Sequence, residues 1–103
     1  MAEDRPEHPD YEEVLKYIAA WYAADGEIVL SWHLKKDRAD RNISIDDCIQ
    51  VLTKGNLRWP PKWADDHQNY KYEIDGQDLD GDDLHLIFVI DYPRARIIVI
   101  TGY

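Results

Sequence analysis

NYKYEIDGQDLDGDDLHLIFVIDYPRARIIVIT, residues 69–101, decides the fold. From Asn69 apolar and polar residues alternate: Tyr70, Tyr72 and Ile74 interleave with Lys71 and Glu73, the period of a half-buried strand. DGQDLDGDD (75–83) is dense in Asp and Gly and predicts a turn. LHLIFVI (Leu84 to Ile90) and ARIIVIT (Ala95 to Thr101) come next, separated by a tight turn around Tyr92-Pro93. Both are β-branched and nearly continuously apolar, as expected of central strands covered by helices.

Upstream the period changes. Asp10 and Glu13 have the spacing of a capping box, and Tyr11, Val14, Leu15, Ile18, Trp21 and Tyr22 recur at three- and four-residue steps until Gly26. This predicts a lead-in helix over 10–25. EIVL (Glu27 to Leu30) reads either as a short strand or as a buried approach to the next helix, and Ser31 as the N-cap of that helix, which runs through Asp40. A second capping box, Ser44 with Asp47, opens a helix that turns Ile45, Ile49 and Leu52 inward with Cys48 beside them. Gly55 is expected to end it in the left-handed conformation. Residues 56–68 contain Pro60-Pro61 and predict a loop with room for a short strand at Leu57 to Trp59. Helices first and an antiparallel meander after them make one α+β domain over 1–103.

At 103 residues, 45% of them hydrophobic, the chain suits a single core, and the lone Cys48 excludes an internal disulfide. The charged start and the lack of a membrane-length apolar run predict a cytoplasmic protein with no membrane partner. A net charge of −9 opposes non-specific binding to nucleic acid. That charge is segregated, however. Residues 1–13 carry six acids against one Arg and residues 75–83 carry five Asp, whereas 31–42 hold Lys35, Lys36, Arg38 and Arg41 against two Asp. The aspartates of 75–83 lack the spacing of an EF-hand loop, and His8, His67 and His85 are scattered, so neither a metal nor another cofactor is expected. His85 alternates outward from the apolar face of its strand and reads as a surface residue.

Ser31-x-His33 with basic residues behind it, Arg41-Asn-Ile-Ser, a helix ending in Lys54-Gly55, and the closing run Ile97 to Tyr103 together resemble the small bacterial domain of unknown function 4258 family over residues 28–103. The resemblance implies helices packed on an antiparallel sheet of three to four strands, similar to the RelE-type and BrnT-type toxin folds, a RelE/barnase-like architecture whose members are often ribonucleases. It carries over His33, Arg41, Thr101 and Tyr103. Asp37 departs from it, standing where the family usually has Arg, and Arg38 sits where the family prefers an apolar residue.

A metal-independent ribonuclease needs a base for the ribose 2′-hydroxyl, an acid for the leaving oxygen and positive charge at the phosphate. His33, Arg41 and Tyr103 are the catalytic candidates: an imidazole, a phosphate-holding guanidinium and a phenol donor. Lys36, Arg38, Thr101 and Trp59 are the substrate-binding candidates, Trp59 as a stacking surface beside Arg58. The commoner reading of the 33–41 run is an ordinary solvated helix face laced by pairs such as Asp37 with Arg41. The expected partners are RNA and a cognate antitoxin or another protein. The rival reading is a non-catalytic binding or regulatory module on the same fold.

Overall fold

The computed structural model describes residues 6–31 and 43–103. Helix α1 (Tyr11–Ala23) opens at Asp10, whose side chain accepts from the Glu13 amide while Glu13 accepts from the Asp10 amide, closing the expected capping box. Helix α2 (Ile45–Lys54) opens in the same way at Ser44 with Asp47. Each box satisfies amide donors that a helix start leaves orphaned. The expected helix over Ser31 to Asp40 lies outside the described residues.

The stripe on α1 is narrower than its periodicity suggests. Val14, Ile18 and Trp21 are buried, while Tyr11, Leu15 and Tyr22 stay exposed. On α2 the buried residues are Cys48, Val51 and Leu52. Ile45, expected inside, is 47% exposed. Burial and the neighbouring Asp47 push the Cys48 thiol up to about 12, so it behaves as a small hydrophobe.

Among the described residues six strands form one open sheet: β1 (Glu27–Leu30), β2 (Asn56–Leu57), β3 (Lys62–Ala64), β4 (Asn69–Gln77), β5 (Asp83–Asp91) and β6 (Arg96–Gly102). The order is β1-β6-β5-β4-β2, with β3 also on β4. The meander β4-β5-β6 is antiparallel, as the alternation and turns predict. The expected three to four antiparallel strands are exceeded at both edges. EIVL is a strand and pairs parallel to β6, Val29 opposite Ile98, so the sheet is mixed. Such a pairing joins segments far apart in the chain and leaves no local pattern.

At the other edge, the segment expected to be a loop contributes two short strands, both antiparallel to β4. Pro60 and Pro61 lack amide donors and split one edge into two pieces, which is why prolines are tolerated there. The first piece ends at Leu57, short of the expected Trp59. Gly55 is extended, not left-handed, with φ −82° and ψ −178°. A close approach demands glycine instead: a Cβ there would lie 2.5 Å from the Asp75 carbonyl oxygen and 2.6 Å from that of Val51.

Both helices contribute to the core on one face of the sheet, where Tyr72, Ile74, Leu84, Leu86, Phe88, Ile90, Ile97 and Val99 meet Val14, Ile18, Trp21, Val51 and Leu52. Tyr72 and Phe88 stack at its centre, ring centroids 5.5 Å apart. In the β4–β5 turn, Asp78 accepts from the amides of Asp80 and Asp82 and closes the loop on itself. Among the described residues no helix is long and apolar enough to cross a membrane.

Candidate functional site

The second face of the sheet carries the polar residues that alternate with the core positions. In register across the strands stand Glu73, Ile87 and Thr101, and beside them Asp75, His85 and Tyr103, since Tyr103 exchanges backbone hydrogen bonds with His85. Simple alternation would not put Tyr103 here. Val99 is in the core, so Thr101 and Tyr103 should share its side of the strand. Phe88 pairs with Val99 but Ile87 pairs with Thr101, which leaves Ile100 as an extra residue. This β-bulge reverses the alternation beyond it, sending Gly102 into the core and Thr101 and Tyr103 to the polar face.

His85 is the centre of the cluster. Its side chain is only 11% exposed, so the surface position read from the alternation is, in fact, enclosed. Nδ1 lies 2.5 Å from Asp75 Oδ1, and the Tyr103 ring is tilted over the imidazole with centroids 4.7 Å apart. Nε2 lies 3.1 Å from Glu73 Oε1, but off the direction of a hydrogen bond, so this nitrogen is buried without a hydrogen-bond partner. Arg58 Nε donates to the second Asp75 oxygen at 2.5 Å, and Lys62 stands 4.0 Å from Glu73. Two carboxylates, an imidazole, two cations and a phenol are thereby held on three adjoining strands and the short edge segment.

Burial by itself would raise the Asp75 carboxyl; hydrogen bonds from His85 and Arg58, with the charge of the guanidinium, outweigh it and hold the group below its usual range. An ionised Asp75 can only accept, so Nδ1 carries a proton and Nε2 is the nitrogen available for chemistry. With the folded-state pKa below the unfolded one, the contribution of Asp75 to stability is complete above about pH 4 and is lost as the pH falls through the folded-state value. Thermal melts between pH 6 and pH 3 should therefore show a steeper acid loss for wild type than for Asp75→Asn. Parallel curves would contradict the pairing.

Among the residues expected from the sequence to form a site, Tyr103 and Thr101 do lie together on this face. Trp59 does not join them: its ring packs against Tyr11 and His8 and near Tyr72, on the helix-covered side. His33, Lys36, Arg38 and Arg41 lie outside the described residues. His85, Asp75, Glu73 and Arg58 were not among the expected site residues. The signal available was a polar group at alternate positions of two strands, but their pairing needs the register. Among the described residues no group of three or more His, Cys, Asp or Glu side chains is placed to hold a metal ion.

No curated protein matches this chain, and no solved structure matches it. A family model described as a domain of unknown function (DUF4258) matches residues 30–103, which include α2, β2 to β6 and every residue of the His85 cluster. The chain belongs to that family.

Proposed function

We propose that the polar face of the sheet is a metal-independent ribonuclease site, of the kind found in toxin-related proteins of RelE-like or barnase-like architecture. The observation that carries the reading is a histidine fixed by an aspartate at one nitrogen and left without a hydrogen bond at the other, with cations and a phenol around it. The ribose 2′-oxygen attacks the adjacent phosphorus while its proton passes to His85 Nε2. Asp75 keeps the imidazole in the required tautomer and stabilises the charge it acquires, as the aspartate does in a catalytic triad. The guanidinium nitrogens of Arg58 not used by Asp75 offset charge on the pentavalent phosphorus. The bond from phosphorus to the 5′-oxygen breaks, and the Tyr103 phenol supplies the proton to that oxygen. The products are a 2′,3′-cyclic phosphate and a free 5′-hydroxyl. Tyr103 is 52% exposed, so rotation of its ring opens Nε2 to the substrate.

The test is incubation of the purified protein with single-stranded RNA in EDTA, with and without ribosomes, and analysis of the ends. Cleavage leaving cyclic phosphate termini is expected, and intact RNA in both conditions would overturn the reading. Alanine variants of His33 and Arg41 in the same assay decide whether the basic run contributes.

A net charge of −9 and the exposed aromatics Tyr11 and Trp59 favour a second reading, in which the chain is a non-catalytic docking or regulatory module. A cognate antitoxin is the partner that the first reading predicts. Under the second, a protein would bind through Tyr11 and Trp59 with the His85 cluster dispensable.

A further inference from the structure

On the same polar face, strand register sets Lys62 of β3 directly opposite Lys71 of β4. Like charges at directly opposed positions destabilise a sheet. Lys62 has Glu73 on the diagonal at 4.0 Å, whereas Lys71 makes no ion pair among the described residues, and the residue opposite it on its other side is the apolar Val89. Lysines commonly protect sheet edges from pairing with other chains, and that accounts for Lys62 on β3. It does not account for Lys71, which is half-buried on a strand paired along both sides.

We propose that Lys62 and Lys71 form a subsite for a phosphate of single-stranded RNA that is not itself cleaved. An anion between the two ammonium groups converts their repulsion into two attractive contacts. The inference rests on reading this face as an RNA site. Lys71 stands four residues along β4 from Asp75, about 13 Å at the rise of a strand. The phosphate held there is therefore distinct from one at His85, and its contact is the same in the ground and transition states. Contacts of that kind affect KM and leave kcat unchanged.

The experiment uses the full chain with a fluorescein-labelled 2′-O-methyl RNA decamer, which cannot be cleaved, and monitors anisotropy between 50 and 200 mM salt. Lys71→Gln should weaken binding about 3- to 10-fold and reduce the salt slope by about one. Its melting temperature should equal or exceed that of wild type, since the repulsion has gone. On cleavable RNA the same variant should raise KM with kcat retained. A Lys71→Gln protein that binds the decamer as wild type does, or that melts lower, overturns the subsite. Decamer binding that depends on Lys71, without cleavage of ordinary RNA, keeps the subsite and removes the ribonuclease reading. A wild-type chain that ignores the decamer but binds a polyglutamate peptide through Lys71 overturns both in favour of an acidic protein partner.

Discussion

His85→Ala is expected to lower the rate of RNA cleavage about 100- to 10,000-fold, the usual worth of a positioned proton-transfer group. The size of the effect comes from the enclosure of the ring: with Nδ1 taken by Asp75, the variant loses the nitrogen that the proposed mechanism uses as its proton acceptor. Asp75→Asn should show a smaller but still large loss, because an amide can present its NH2 to the imidazole and favour the wrong tautomer. Glu73→Gln offers a contrast, since Glu73 lies close to Nε2 but makes no hydrogen bond with it. Kinetics on a short RNA, with melting curves to show that each variant folds, separate these effects. A His85→Ala protein that folds and cuts at the wild-type rate would remove His85 from the mechanism. Activity would then have to be sought in the 33–41 run.

The second large effect concerns the fold. Phe88→Ala should cost about 3–5 kcal/mol, the range for emptying a large aromatic site in a core. Phe88 is fully buried on the central strand β5 and stacks on Tyr72, so two flanking strands and a helix-facing layer close around the space that would be vacated. Domains of this size are stable by only about 5–15 kcal/mol, which leaves the variant close to its unfolding limit at ordinary temperature. Urea titration reads this directly: the midpoint should fall with little change in slope. A loss under about 1 kcal/mol would mean that the strands repack around the gap and that the stack is not the centre of the core.

The elements that could be read without coordinates are those whose physical cause lies within a few residues. Asp10 with Glu13 and Ser44 with Asp47 satisfy amide groups three positions away, and both helices begin where those pairs predict. Tyr70, Tyr72 and Ile74 alternate because one side of β4 is covered, and the apolar runs of β5 and β6 are strands in the structure. Gly55 was legible as a helix stop but not as a contact: it is glycine because the Asp75 carbonyl passes close by, a neighbour twenty residues away.

The site belongs to the other category. Its pieces were visible singly, Tyr103 in the closing run and His85 as an outward position, but their meeting depends on three pairings between distant segments. Register across β4 and β5 sets Asp75 opposite His85. The bulge at Ile100 turns Tyr103 onto that face. The proline-split edge presents Arg58 and Lys62 to β4. By itself the sequence determined the helix starts, the meander and the α+β class, because capping and hydrophobic period act over one or two turns of chain. Tertiary structure alone decided the parallel β1–β6 pair and the company that His85 keeps, because a strand's register and its bulges answer to partners remote in sequence, and a shift of one residue exchanges the faces of the sheet.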